Sequence, residues 1–264
     1  MKTVYAITTL GRCEDQRTLT NLPESIRERL MLVVQDHEYE KYHKMWASHV
    51  RAVVSLPPEI RTLGPTRRWL YETARDVGFE AVVMMDDDLD FYVRVDPSDW
   101  HLTSPHPDTI ADMFAEVEQK LGEGYAHGGI SGREGNNRQK DYGCECTRYM
   151  RVLAYRTDHP RTVVHGRIDG MSDFDVNLQL LKHGLPSYVF FRYAQGQPGT
   201  QTAGGISSDR SMEKHEREVD FMVREHAPYV KKVMKKNKGG GDFGTRPEVV
   251  VQWKNALMEK NRCS

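Results

Sequence analysis

Phe79-Glu80-Ala81-Val82-Val83-Met84-Met85-Asp86-Asp87-Asp88-Leu89-Asp90-Phe91 decides how the rest of this chain is read. An apolar run short enough for one buried strand stops at three adjacent carboxylates, and apolar side chains resume at once. Like charges held together repel, so a fold gains from them only where a cation or ligand offsets the charge. Hard divalent cations take oxygen ligands and often bind through one or two carboxylates plus substrate phosphates. The stretch therefore reads as a metal–nucleotide site at the carboxyl end of a central strand, where open α/β sheets place their ligands. A solvated acidic turn or a helix cap is the plainer alternative, which Leu89 and Phe91 disfavour.

Strand and helix alternate on the amino-terminal side of this stretch. Residues 4–9 read as a first strand and Gly11-Arg12 as a turn. A helix follows at 22–30, with Pro23 tolerated in its first turn. Apolar runs at 31–35 and 52–56 come next, the second stopped by Pro57-Pro58, then a helix from 64 that Gly78 ends. This order predicts an α/β fold, Rossmann-type, with a mixed, mostly parallel twisted sheet flanked by helices. Downstream, helices are expected at 108–121, 173–182 and 209–226, and strands at 125–131, 148–155, 162–165 and 188–193. The Gly/Gln-rich stretch 195–207 reads as a lid or a plain connector. The tail carries Lys231, Lys232, Lys235, Lys236 and Lys238, then Gly239-Gly240-Gly241 and an expected last helix at 248–260.

A length of 264 residues suits one large α/β domain or two small ones, and no repeat or long linker divides it. A formal net charge of −1 excludes a protein coated in basic residues, so any nucleic-acid contact must come from local patches. Four cysteines give no disulfide framework, and Cys144-x-Cys146 lacks the second pair that a structural zinc needs. Reduced thiols, no signal peptide and no transmembrane run point to a cytoplasmic protein without a membrane partner.

The acidic strand end is not the only chemistry-bearing motif. Ser131-Gly132-Arg133-Glu134-Gly135-Asn136-Asn137-Arg138-Gln139 is dense in hydrogen-bonding side chains. Asp173-Phe174-Asp175-Val176-Asn177-Leu178 opens a helix on two acids, and Gly204-Gly205-Ile206-Ser207 precedes Arg210. Together with the first strand and Asp86-Asp87-Asp88-Leu89, these motifs resemble those of GT-A-type glycosyltransferases. More narrowly, from about Tyr5 to Arg210, they resemble the bacteriophage TET-associated glycosyltransferases, thought to add sugars to 5-hydroxymethylcytosine in phage DNA.

The resemblance implies a GT-A-like domain over 1–264. Its nucleotide-sugar-binding half would be 1–95, its acceptor and catalytic half 96–207, and a helical C-terminal extension with the Lys-rich segment 208–264. It implies a Mn²⁺ or Mg²⁺ ion on the Asp-x-Asp pair Asp86 and Asp88, with Asp86 and Asp87 also close to a UDP-sugar donor. Thr8, Thr9, Gly11 and Arg12 would hold the base and ribose. Arg67 and Arg68 would grip the diphosphate, as guanidinium groups do, although a surface arginine pair is as ordinary a reading. Arg133, Asn137 and Arg138 would contact the sugar, and Gly204 and Gly205 would sit in the lid. Asp173 is the candidate catalytic base and Asp175 the second choice. Many relatives carry Glu-Asp where this chain has Ser172-Asp173, and a first-turn helix acid is the plain alternative. A further metal ligand would come from His165, His215 or His226.

The leading reading is a metal-dependent transfer of a sugar from a UDP-sugar to the hydroxyl of 5-hydroxymethylcytosine in DNA. Direct displacement assisted by Asp173 would invert the anomeric carbon. The lysine-rich segment would then track phosphates, or else be a solvated tail. A glycan or other small hydroxyl acceptor is the alternative. A nucleotidyltransferase would need a Gly-rich loop after the first strand, where Leu10-Gly11-Arg12-Cys13 has one glycine. A non-catalytic nucleic-acid binder would be repelled by the aspartates.

Overall fold

The computed structural model describes residues 1–96, 98–197, 211–236 and 245–257. The first half runs β1 (Thr3–Thr8), α1 (Arg17–Asn21), α2 (Glu24–Arg27), β2 (Leu30–Val34), α3 (Tyr39–Trp46), β3 (Ala52–Ser55), α4 (Leu63–Asp76) and β4 (Ala81–Asp86). The chain continues through β5 (Asp90–Arg94), β6 (Leu102–Thr103), α5 (Pro107–Gly122), β7 (His127–Gly132), β8 (Gly143–Glu145) and β9 (Val152–Arg156). It ends with α6 (Ser172–Lys182), β10 (Ser187–Gly196), α7 (Met212–Glu225), β11 (Val230–Lys236), β12 (Thr245–Val251) and α8 (Trp253–Ala256).

A ten-stranded sheet in the order β3-β2-β1-β4-β9-β7-β10-β5-β6 carries the fold, with β8 beside β10. Strands β1–β4, β6, β7 and β10 point one way, and β5, β8 and β9 the other. The sheet is thus mixed and mostly parallel. In β1 and β4 the residues before the last are all buried, as strands covered on both faces require. Alternation sends Tyr5, Ile7, Val83 and Met85 into one core with Phe114 of α5 and Tyr42 of α3. Val4, Ala6, Val82 and Met84 enter the other, with Leu70 of α4 and Leu180 of α6. From β1 the chain first builds outward through β2 and β3 and then returns to place β4 on the other side of β1. That reversal opens a crevice at the carboxyl ends of β1 and β4, where Thr8 lies in register beside Asp86.

Several elements differ from expectation. Of the helix expected at 22–30 only Glu24–Arg27 is helical: Pro23 caps this short α2, a separate α1 precedes it at Arg17–Asn21, and Leu30 already begins β2. Asp90 starts a new strand, antiparallel to β10, and does not continue β4. Residues 162–165 join no sheet: the main chain of Val164 bonds instead to the side-chain amide of Gln179 on α6, which uses its N–H and C=O (2.9 Å each). The C-terminal extension is not all helical, and its described lysines are not a tail; Lys238 and Gly239-Gly240-Gly241 lie outside the described residues. Lys231, Lys232, Lys235 and Lys236 lie on β11, which pairs antiparallel with β12 over seven residues, and among the described residues of the expected last helix Trp253–Ala256 is helical and 248–251 belong to β12. Val230 and Val249 anchor this hairpin in a third core with Leu178 and Leu181 of α6, Val219 and Met222 of α7 and Ala256. Among the described residues no helix is long and apolar enough to cross a membrane.

Candidate active site

The turn after β1 is tied to the acidic end of β4 by direct bonds. Thr9 Oγ1 donates to Asp87 Oδ2 (2.6 Å) and accepts from Gln16 Nε2 (2.8 Å). Arg12 Nη1 donates to Asp87 Oδ1 (2.6 Å) and to Asp88 Oδ2 (2.9 Å). Gly11, at a φ of 68° that suits glycine, donates its N–H to Glu38 Oε1 (3.0 Å). Thr18 braces the acidic end from the other side, its Oγ1 donating to the carbonyl of Asp86 (2.7 Å) and accepting from the N–H of Leu89 (2.8 Å).

The three aspartates do not point the same way. Asp87 is turned inward, its side chain 7% exposed, and serves Thr9 and Arg12. Asp86 and Asp88 keep 27% and 17% of their side-chain surface open. Asp86 Oδ1 lies 3.3 Å from Arg67 Nη2, and Asp88 Oδ1 accepts from Gln197 Nε2 (2.6 Å). Asp86, Arg67 and Gln197 line a cavity of about 360 Å³, together with Arg151, Asp173 and Lys214. Desolvation in this recess pushes the Asp86 carboxyl up to about 6; Arg67 opposes the rise, and the charges of Asp88 and Asp87 add to it.

Asp173 reaches the cavity because α6 starts beneath it. Arg67, buried on α4, donates from Nη1 to Ser172 Oγ (2.7 Å) while its other arm meets Asp86, so one guanidinium joins the two acidic motifs. Burial raises the Asp173 carboxyl above its ordinary range, against the pull of Arg67 and Arg148 and of the helix-start N–H groups it accepts from. The approach to α6 is tightly built. The N–H of Gly64 donates to Asp169 Oδ1 (2.7 Å), and a Cβ on Gly166 would lie 1.9 Å from the Gly64 carbonyl oxygen. Glu218 of α7 accepts from the N–H groups of Asp169 (3.2 Å) and Gly170 (2.8 Å).

Other expected site residues fall elsewhere. Asp175, two residues on, is fully buried: Arg167 grips it with Nε (3.0 Å) and Nη2, and His226 Nε2 lies 2.8 Å away. Two helical residues rotate the side chain by about 200°, so Asp175 faces the third core's rim and not the cavity, and it is withdrawn as a base. The same pairing removes His226 as a metal ligand. His165 is withdrawn too, buried and stacked on Tyr71 with ring centroids 3.7 Å apart. His215 does line the cavity, with Nε2 2.7 Å from the carbonyl oxygen of Pro247. Arg68 is exposed and pairs with Glu72 one helical turn on (2.9 Å), outside the site. Arg133 is exposed over the ring of Tyr92, and Asn137 is exposed and lines neither cavity. Arg138 lines a second cavity of about 220 Å³ with Glu134, Arg148 and Met150, the last shared with the larger one. Gly204 and Gly205 lie outside the described residues.

The larger cavity also contains Gln197, from the stretch expected to form a lid, and residues that no motif announced: Arg151, Asp169, Lys214 and Glu218. Arg151 carries one local mark, a left-handed backbone (φ 65°) rare for a residue with a Cβ. Its carbonyl accepts the N–H of Asp86 (3.1 Å) and its Nη1 donates to Gln195 Oε1 (3.1 Å).

Known proteins share this architecture. The structure of S. aureus TarS 1–349 in complex with UDP-GlcNAc superposes with a TM-score of 0.50 at 15% identity, covering 84% of this chain and 67% of that one. In sequence, the beta-glucosyl-HMC-alpha-glucosyl-transferases of Enterobacteria phages T2 and T6 are each 26% identical over 209 residues, 74% of this chain and 71% of theirs. The model of the TET-associated glycosyltransferases matches residues 3–205, which include β1, the aspartates of β4, Arg151 and the start of α6, and the chain belongs to that glycosyltransferase family.

Proposed function

We propose that this enzyme transfers a sugar from a UDP-sugar to a hydroxyl on 5-hydroxymethylcytosine in phage DNA. The reading is carried by one observation: Asp86, Arg67, Arg151, Lys214 and Asp173 converge on a single cavity at the carboxyl ends of β1 and β4. The names of the phage T2 and T6 relatives support this acceptor, and the UDP-GlcNAc held by TarS is in keeping with the donor. Residues 1–95 supply the donor half, 96–207 the catalytic and acceptor half, and 208–264 close one side of the cavity through Lys214 and Arg246.

Asp86 and Asp88 fit a Mn²⁺ or Mg²⁺ ion. They are hard oxygen donors with open surface, and Asp86 is held at an elevated pKa in a recess with excess acidic charge. Among the described residues no group of three His, Cys, Asp or Glu forms a complete protein cage, which suits an ion completed by the donor's diphosphate. Such an ion supplies charge neutralisation for the departing diphosphate. Arg67, Arg151 and Lys214 add fixed positive charge to the cavity lining. Thr8, Thr9, Gly11 and Arg12 shape the turn against which the nucleoside rests. A neutral hydroxyl is a poor nucleophile; Asp173, made more basic by burial, takes its proton as the bond to the sugar forms.

The test is to incubate the protein with Mn²⁺, a panel of UDP-sugars, and duplexes carrying cytosine, 5-hydroxymethylcytosine or glucosylated 5-hydroxymethylcytosine, then weigh the digested nucleosides. A hexose mass gained on hydroxymethylcytosine supports the reading; gain on the glucosylated base alone moves the acceptor hydroxyl to the sugar, as the relatives' names also allow. No gain with any donor refutes it. Asp173→Asn should lower kcat by about 10²–10⁴-fold with UDP binding intact. Transfer that persists at the wild-type rate, or a product with retained anomeric configuration, would remove Asp173 from the role of simple base.

A further inference from the structure

The hairpin of β11 and β12 has a sequence and an orientation that the transfer reaction leaves unused. Residues directly opposite in an antiparallel pair send their side chains to the same face. Val230, Val249 and Pro247 are buried, and the register places them on one face with Lys232, whose Nζ meets Asp220 of α7 at 2.8 Å. Through Val230, Pro247 and Val249 that face packs on the body of the protein, although Met234 and Lys236, toward the other end of β11 on the same face, are exposed. The opposite face then holds Lys231, Val233 and Lys235 of β11 with Arg246, Glu248 and Val250 of β12. Lys231 and Lys235 are exposed, and Lys235 sits opposite Arg246. Arg246 and Glu248 pair with each other (2.7 Å) and line the large cavity. A basic ribbon therefore begins at the cavity wall and runs outward from it, on a chain whose net charge is only −1.

We propose that this outward face of the β11–β12 hairpin is the duplex-docking surface of the enzyme, with Lys231 and Lys235 on backbone phosphates. This rests on the reading of DNA as the acceptor. Four residues of strand separate the two lysines by roughly 13 Å, close to the ~12 Å width of the major groove. The C5 substituent of cytosine lies in that groove, so a duplex held there presents its hydroxymethyl group toward the wall formed by Arg246 and Glu248. Short lysine-bearing strands also guard a sheet edge against aggregation, but that role needs no continuity with a cavity.

The experiment compares the wild type with Lys231→Gln/Lys235→Gln and with a charge-matched control, Lys44→Gln/Arg161→Gln, both of whose residues are exposed and lie off the hairpin. Binding of an unmodified duplex is titrated from 50 to 200 mM salt, and UDP binding is measured in parallel as the check on folding. Loss of two phosphate contacts lowers the slope of log K against log[salt] by about 1.8. The hairpin variant should also bind the duplex at least about tenfold more weakly at the lowest salt, with the control unchanged. An unchanged affinity and slope in the hairpin variant, equal losses in the control, or no duplex binding by the wild type would each overturn the proposal. Transfer to hydroxymethylated DNA is scored separately, so a protein that binds duplex through the hairpin yet modifies none refutes the acceptor and not the surface.

Discussion

Two acidic pairs, each spaced by two residues, end up with opposite fates. Asp86 and Asp88 leave the end of a strand with partly open side chains, Asp86 in the cavity wall and Asp88 bonded to Gln197 of that wall, and the intervening Asp87 turns away to Thr9 and Arg12. Asp173 and Asp175 begin a helix, and the same spacing of two separates them: Asp173 faces the cavity and Asp175 is fully enclosed by Arg167, Gln179 and His226. Spacing has no meaning until the period of the element is known, 2 for a strand and 3.6 for a helix. The energetic roles divide in the same way. Asp175 is satisfied and stabilises; Asp86 is held at an elevated pKa in the cavity wall, at the place proposed for a cation.

The largest effects test that division directly. Asp88→Asn should lower turnover by about a thousandfold or more and abolish Mn²⁺-dependent UDP binding, with thermal unfolding near that of wild type; removing charge at the diphosphate is a loss of transition-state stabilisation of this order. Asp175→Asn should do the reverse. It removes the buried anion that Arg167 and His226 share, although Arg167 keeps Glu225 (3.1 Å), a loss of about 3 kcal/mol seen as a lowered denaturant midpoint, while the protein that remains folded binds UDP normally. If Asp175→Asn lost activity at unchanged stability, the partition drawn between the two pairs would be wrong.

A middle-sized effect has an unusual sign. Asp86 has a folded pKa of about 6, above the unfolded carboxylate value of 3.8. A raised acid helps the fold only when protonated, so its contribution is present at low pH and is lost as pH rises through about 6. At pH 8 the ionised group opposes folding by roughly 2 kcal/mol, discounted for its partial exposure and for the pairing with Arg67 that an amide would forgo. Asp86→Asn should therefore stabilise the metal-free protein by about 1 kcal/mol at pH 8, with the difference vanishing toward pH 4. Mn²⁺ should raise the melting temperature of the wild type and not of the variant. A destabilised Asp86→Asn at pH 8 would mean that Arg67, not the recess, sets the state of this carboxylate.

How much of this was legible in the sequence follows from range. The alternation of strands and helices through β4 is local, written in apolar runs of strand length and in Gly and Pro stops, and it placed the aspartates at a strand end. The start of α6 was readable too, but choosing between its two acids required the helical rotation that only packing makes decisive. The β11–β12 hairpin was missed because Val230-Lys231-Lys232-Val233 has no clean alternation of its own. Its strand character comes from pairing with β12 and from the core under Val230 and Val249. Arg151 and Lys214 were missed for a harder reason. They join Asp86 from positions 65 and 128 residues away in sequence, and nothing in their neighbours marks them.

The smallest expected effect bears on the one such residue that has a local signature. Arg151 holds a left-handed backbone at φ 65°, which costs a residue with a Cβ roughly 1–2 kcal/mol and costs glycine almost nothing. Strain kept at a cavity wall implies that the side chain, or the carbonyl that binds the Asp86 N–H, is needed where it is. Arg151→Ala and Arg151→Gly lose the same contacts to Gln195 and Glu134, but only glycine also sheds the strain. The glycine variant should accordingly be more stable than the alanine variant by about 1 kcal/mol, although glycine ordinarily destabilises. Both should bind UDP about tenfold more weakly, the loss expected from one charge-assisted contact to a phosphate. An alanine variant as stable as the glycine one would show that residue 151 relaxes out of the left-handed region, and that the cavity wall beside Asp86 is set by Gln195 and β4 alone.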